Sequence, residues 1–429
     1  MKGGPAAPLS WEPQPQLDPL LPRCRLFNPS RNYLRELDVI RFWAFFGVFL
    51  YHGIHVLAPS GPMAFHEQVL WHATFIVQRA GMFGVDMFFT LSAFLITTLL
   101  LAEREATGQV QLRKFYARRI LRIWPLYFGV ALLVFGVAWL LEEKAMAPYF
   151  WPFMLMAPNW AWIAHGTPVV QVHAFTALMV FWSLGIEEQF YILWPILLRA
   201  VSPRRIRLLA WGMLALAAFT RWGCVALDLH PLWVYANTFA RLDPIAAGIL
   251  LAAEWNSLRD GDTASRLRYR ILGSRLTLAA GVLGFLAAGW LWINASVGSL
   301  LTRNQFNQIG LPLVAWSGYL ILFNTLLNQR PEDSRGRVFG ALAYLGKISF
   351  GLYVYHGFVL GLVMIPVQAT YRITGPYASL PYVPMLISTG IGLPLTILVA
   401  HLSYKYFESP FLAMKRRFST FAAAPGPAA

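Results

Sequence analysis

Stretches of roughly twenty apolar residues recur ten times along this sequence, at 39–57, 81–102, 123–141, 176–198, 208–227, 235–254, 276–294, 308–328, 339–366 and 383–404. Each is long enough to cross the hydrocarbon core of a bilayer as a helix. Lipid offers no partners to the backbone, so a spanning segment must satisfy its own hydrogen bonds. The expected fold is therefore an all-α polytopic membrane protein with about ten transmembrane helices. Composition agrees: 13% of the residues are charged, about half the share of a soluble domain. Two cysteines, Cys24 and Cys224, are too few for a disulfide framework or a Cys-rich metal site.

An eleventh apolar segment, 148–164, is short and interrupted by Pro148, Pro152, Pro158 and Asn159. Loop charge decides its reading. If it does not cross and the N-terminus is cytoplasmic, 27 Lys/Arg fall in cytoplasmic segments and 4 in outside ones. If it crosses, the Arg199–Arg207 cluster lands opposite Arg113–Arg122. The positive-inside rule prefers the first arrangement, with both termini in the cytoplasm and 148–164 an outside or re-entrant element. The net charge of +15 then reflects loop asymmetry, and no nucleic-acid partner is expected. Residues 1–33 and 416–429 are Pro- or Ala-rich and read as disordered tails. No cleavable signal peptide is expected in the first. No internal repeat of the kind common in transporters is visible.

Ionisable residues within spans are costly and mark function. In the first span, Arg41 and His52 are 11 residues apart, which puts them on one helix face and ~16 Å apart along the axis. Asp38 and His55 lie near the same stripe. Arg41 snorkelling to the cytoplasmic surface and His52 serving a structural hydrogen bond are the competing explanations. His52 and His55 could also form half of a metal site, but no suitably spaced partners appear, so no metal is expected. Asp86, Glu187, Glu188, Arg241, Asp243 and His356 are all placed at mid to outer depth by the same topology. They suggest one polar cavity; ion pairing of Arg241 with Asp243 or a neighbouring Glu is the structural alternative. At the foot of the third span, Arg118, Arg119 and Arg122 crowd together. Arg119 and Arg122, at i and i+3, can grip one anion, and guanidinium suits phosphate. An ordinary positive-inside cluster would look the same.

Seven stretches then read together. They are Leu37–His52 with Arg41 and His52 in an Arg-x10-His pattern, Gly84–Thr97 (GVDMFFTLSAFLIT), Phe115–Pro125 (FYARRILRIWP), Phe181–Pro195 (FWSLGIEEQFYILWP), Arg241–Gly248, Ile348–His356 (ISFGLYVYH) and Tyr406–Pro410 (YFESP). In this order the chain resembles the acyltransferase-3 family of integral membrane O-acyltransferases over about 34–415. The resemblance implies a bacterial cytoplasmic membrane, acyl-CoA (acetyl-CoA above all) as donor, and a carbohydrate or glycoside hydroxyl as acceptor. By carry-over it implies catalytic roles for Arg41 and His52 and donor handling by Arg119 and Arg122, with Arg118 beside them. Ser92-Ala93-Phe94-Leu95-Ile96 matches a stretch that is usually Ser-Gly-Phe-Leu-Ile. Ala93 departs from that glycine, which puts donor choice in question if the glycine approaches the acyl chain. Some members carry an extracellular hydrolase-like domain after the membrane core; none is expected in these 429 residues.

The chemistry needs a base for the acceptor hydroxyl. Neutral His52 is the candidate, with Asp86 or the Glu187–Glu188 pair to orient it and Arg41 for donor phosphate or the developing oxyanion. Direct transfer and an acyl-His52 relay both fit the residues. The alternatives from other classes are a proton-coupled transporter and a catalytically inactive sensor derived from the family.

Overall fold

The computed structural model of the chain describes residues 34–53, 64–166, 178–257, 268, 270–297, 302–329, 335–374 and 383–418. His55 and Cys24 lie outside them. All regular elements among the described residues are helical. In order they are α1 (Arg35–Gly53), α2 (Phe65–Gly81), α3 (Gly84–Thr107), α4 (Leu112–Leu140), α5 (Phe150–Met154), α6 (Pro158–His165), α7 (Phe181–Ala200), α8 (Ile206–Ala226) and α9 (Leu232–Tyr235). There follow α10 (Leu242–Ser257), α11 (Arg275–Val297), α12 (Arg303–Leu327), α13 (Arg337–Lys347), α14 (Ser349–Thr374), α15 (Val383–Ile387), α16 (Leu393–Ser403) and α17 (Ser409–Met414).

Among the described residues, six runs are long and apolar enough to cross a membrane: Phe65–Thr107, Leu112–Leu140, Pro203–Ala226, Arg275–Ala295, Arg303–Leu327 and Met385–Met414. The α13–α14 pair, bent by 73°, is a seventh if it counts as one span. The remaining apolar runs of the sequence also form helices, but charge or length sets them apart. α1 opens with Arg35, Glu36, Asp38 and Arg41, α7 carries Glu187, Glu188 and Gln189 in its middle, and α10 has only 16 residues. Segment 148–164 breaks into helices of 5 and 8 residues, far short of a crossing.

Two loops expected from the sequence are helical instead. Residues 103–122 lie between the expected spans 81–102 and 123–141, yet α3 runs to Thr107, Gly108 ends it at φ 75°, and α4 starts at Leu112. The Arg118–Arg122 cluster is thus held on a rigid helix. Residues 58–80 lie between the expected spans 39–57 and 81–102, yet α2 begins at Phe65 and packs along α11, where Gly289 lies against Ile76 and Ala80. Small residues permit such approaches where no hydrophobic force separates helix from lipid. The same device seats α1: a Cβ on Gly84 would strike the Ala44 carbonyl, and one on Gly81 the Gly47 carbonyl.

Polar contacts gather the basic segments on one face. Arg104 at the end of α3 donates to the Leu198 and Val201 carbonyls at the end of α7 (3.1 and 2.6 Å). Arg207 and Arg268 both reach Glu254 near the end of α10. Arg335 pairs with Glu36 at 2.7 Å at the start of α1. Arg118 donates to the Phe418 carbonyl at 2.8 Å, tying the foot of α4 to the turn after α17. Deeper in the bundle lie two buried ion pairs. Arg241 holds Asp86 bidentately (2.8 and 2.9 Å), and Arg221 holds Asp243. The expected pairing of Arg241 with Asp243 or a glutamate is therefore replaced: Arg221, from α8, takes Asp243 and frees Arg241 for α3.

Candidate active site

α1 carries the site's two ends. His52 sits in its last turn and is exposed, while His356 of α14 is wholly buried. Nδ1 of His52 and Nε2 of His356 are 3.1 Å apart. The far nitrogen of His356, Nδ1, lies 2.6 Å from the Tyr353 carbonyl oxygen, which can only accept. His356 Nδ1 therefore carries a proton, and in the neutral ring Nε2 is left as acceptor. His52 must donate from Nδ1, which leaves its lone pair on Nε2. The backbone of α14 thus fixes the tautomer of His52 through a relay of one imidazole. The packing agrees: His356 is edge-on to Phe45, one turn from the buried Phe49 of α1.

The carboxylates expected to orient His52 are engaged elsewhere. Asp86 is clasped by Arg241. Glu187 accepts from the Ser92 and Tyr191 hydroxyls, the latter at 2.5 Å. Oε2 of Glu188 accepts from Trp124 Nε1 at 3.3 Å, and its Oε1 is buried without a partner. Ser92, expected beside the donor, instead ties α3 to α7. Ala93 faces α10, where a Cβ on Gly248 would crowd its methyl and the Thr90 carbonyl. The residue that departs from the family pattern therefore fills a helix crossing.

Arg41 is ~16 Å down α1 from His52 and bonded to Asp38 at 2.6 Å. That distance removes it from any oxyanion role at His52 and places it among the cations of the basic face. Arg118 has Glu103 at 3.7 Å. Arg119 lies over the rings of Tyr191 and Phe115, at 5.0 and 5.6 Å. Among the described residues, Arg119 and Arg122 have no carboxylate within ion-pair distance. A fifth cation, Lys415, joins them from the turn after α17. Burial pushes its ammonium down to about 7, and the charges of Arg122, Arg119, Arg118 and Arg41 push the same way. A lysine so depressed sits among like charges, an arrangement suited to a polyanion.

The sequence sets His356 among the groups expected at mid to outer depth but gives it no role, because its link to His52 spans 304 positions. Lys415 carried no signal at all: it is one of several C-terminal basic residues, and the docking of the C-terminal turn on α4, which includes the Arg118 bond to the Phe418 carbonyl, brings it to the cluster.

Comparison with known proteins follows the same lines. The family profile of the acyltransferase domain (acyltransferase-3) matches residues 34–405. The peptidoglycan O-acetyltransferase OatA of Listeria monocytogenes is 26% identical over 395 residues, covering 89% of this chain and 56% of its own. The O-acetyltransferase OatA of Staphylococcus aureus (strain NCTC 8325) is 26% identical over 426 residues, covering 94% of this chain and 60% of its own. A Staphylococcus aureus (strain COL) protein provisionally named an O-acetyltransferase is 28% identical over 378 residues, 84% of this chain and 56% of its own. The chain thus spans little more than half the length of these relatives. No solved structure matches. With its apolar helices and bacterial relatives, it is a multi-pass protein of the bacterial cell membrane. It belongs to the acyltransferase-3 family.

Proposed function

We propose that this chain is an O-acyltransferase that moves an acyl group, acetyl above all, from acyl-CoA at the cytoplasmic face to a hydroxyl of a carbohydrate acceptor. The observation that carries the proposal is the layout of α1. One end presents an imidazole of fixed tautomer; the other joins a cluster of cations, three of which lack a carboxylate partner among the described residues. Acyl-CoA is a long molecule with phosphates at one end and a thioester at the other, and it matches that layout. The names of the relatives, O-acetyltransferase and peptidoglycan O-acetyltransferase, support acetyl and a glycan. The basic face is assigned to the cytoplasm by the positive-inside rule, with both termini there and 34–415 as the membrane domain.

The steps follow from the tautomer. Nε2 of His52 takes the proton of the acceptor hydroxyl as the oxygen attacks the thioester carbonyl. The imidazolium that forms keeps its Nδ1–H on His356 Nε2, a hydrogen bond that strengthens as charge develops. The tetrahedral intermediate collapses by breaking the C–S bond, and His52 returns its proton to the departing thiolate. The products are an ester and free CoA. In a relay version Nε2 itself attacks the thioester, the C–S bond breaks and CoA leaves as the thiolate. The acceptor hydroxyl then takes the acyl group from Nε2 and gives up its proton to the thiolate; the same lone pair serves both. Arg119, Arg122 and Lys415, with Arg118 and Arg41 beside them, hold the CoA phosphates.

The test is CoA release by purified protein given acetyl-CoA and glycan acceptors. Wild type is expected to release CoA in an acceptor-dependent way, and His52→Ala to abolish release while donor binding persists. Wild-type release by folded His52→Ala would defeat both versions, and no acyl-CoA turnover by folded wild type would favour the transporter or sensor.

A further inference from the structure

Beside the histidine pair, on the end of the bundle away from the basic face, lies a cavity of about 290 Å³. That is near the lower end of ligand pockets, roughly 300–1,000 Å³. We infer that it is an acceptor subsite that binds one uncharged sugar ring and sets it next to His52. This inference rests on the acyltransferase reading and names where that reaction's acceptor is held.

Three features of the wall point to a sugar. First, flat aromatic surfaces line it: Tyr51 of α1, Tyr235 of α9 and Trp292 of α11, the last braced edge-on by Phe306 at 5.0 Å. Such faces match the apolar C–H faces of a pyranose. Second, the mouth carries short polar side chains in convergent positions. Asn304 and Asn307 are at i and i+3 on the first turns of α12, so they share a face, and Asp228 follows α8. None of these three side chains makes a hydrogen bond or ion pair among the described residues. Amides both donate and accept, and a carboxylate accepts, which is what vicinal hydroxyls require. His230 adds a donor: its Nδ1 accepts the Leu232 N–H at 3.3 Å, so Nε2 bears the proton in the neutral ring. Third, the charges nearly cancel. Asp228 and Arg303 both line the cavity, and Arg241 in the wall is neutralised by Asp86. An anionic ligand gains little here, in contrast to the basic face.

Position ties the cavity to the chemistry. Tyr51 lines it, and the Tyr51 ring is 4.9 Å from the His52 ring. His52 is not part of the wall. The cavity therefore holds a ring adjacent to, or the far side of, the unit that reacts, and a hydroxyl passing Tyr51 reaches Nε2.

The experiment uses the full chain in detergent, acetyl-CoA, and soluble peptidoglycan fragments or methyl glycosides as acceptors. Asn304→Ala/Asn307→Ala, Asp228→Ala and Trp292→Ala are each expected to raise the acceptor KM about tenfold or more. kcat, the acetyl-CoA KM and acceptor-independent hydrolysis are expected to stay near wild type. Unchanged acceptor KM in folded variants overturns the subsite. A second readout needs no change in the polar wall. Cys224, which also lines the cavity, is titrated with a small alkylating reagent in a Cys24→Ser background. The glycan is expected to slow its modification; an unchanged rate overturns the inference. Protection without any CoA turnover leaves the subsite standing and defeats the acyltransferase reading instead, so the two failures are distinguishable.

Discussion

Replacing His356 with alanine tests the tautomer argument directly. His356 touches no substrate in this account; it acts through His52 alone, by accepting Nδ1–H while its own Nδ1–H is held by the Tyr353 carbonyl. In the ground state the lost bond is between neutral groups and contributes about 1 kcal/mol. In the transition state His52 is cationic, and a bond to a charged group contributes about 1.5–3 kcal/mol. The difference, about 0.5–2 kcal/mol, lowers kcat by about 2- to 30-fold at 1.36 kcal/mol per decade. Removing the base itself in His52→Ala costs more, about 10²- to 10⁴-fold. The assay is steady-state CoA release at saturating donor, with the acetyl-CoA Kd measured by titration calorimetry. The Kd is expected to hold, because the cations that bind phosphate are at the other end of α1. A kcat within twofold of wild type refutes the relay. A loss equal to that of His52→Ala makes His356 the base and refutes the assignment of Nε2 of His52.

Three further outcomes follow from the cations and the buried pairs. Arg122→Ala should raise the acetyl-CoA KM about tenfold, the cost of one charge-assisted phosphate contact, with kcat unchanged; steady-state kinetics at two ionic strengths checks it. Lys415 should make donor affinity fall with rising pH. Its ammonium is depressed to about 7, phosphate favours the protonated form, and above that pH binding must take up a proton, weakening affinity by up to about tenfold per pH unit. Lys415→Met should flatten the KM profile between about pH 6 and 8 and raise KM at the acid end. Asp86→Asn strips the charge from the bidentate partner of Arg241, leaving a buried guanidinium uncompensated at a cost of about 3–5 kcal/mol; thermal-shift measurements should show destabilisation before any kinetic effect is interpreted.

The membrane class was legible because hydropathy needs only local sequence: the described part of each apolar run is predominantly helical. The basic residues that the sequence groups in the segments between spans, Arg104, Arg118, Arg207 and Arg335, all meet partners at helix ends. Helix limits were not legible. Amphipathic ends such as 65–80 and 112–122 are too polar for a hydropathy window, yet packing on α11 or binding the C-terminal turn holds them helical. Partner choice was the least legible. Helical periodicity put Arg41 and His52 on one stripe, but nothing local says that Arg221 will capture Asp243, or that Asp86 will be taken by Arg241. Nor does it say that a histidine from α14 will stand where a carboxylate was expected. Those outcomes depend on which helices cross, and small residues such as Gly84 and Gly248 decide that through contacts remote in sequence.

The account's central claim is that one helix joins a donor site on the basic face to an acceptor site on the other. The measurement that meets it most directly uses the purified chain in sealed vesicles of known orientation, with labelled acetyl-CoA on the basic-face side and glycan on either side. Labelled ester on glycan supplied only at the opposite face, and absent with His52→Ala, is the predicted result. Ester formed only when glycan shares the donor's side would contradict it.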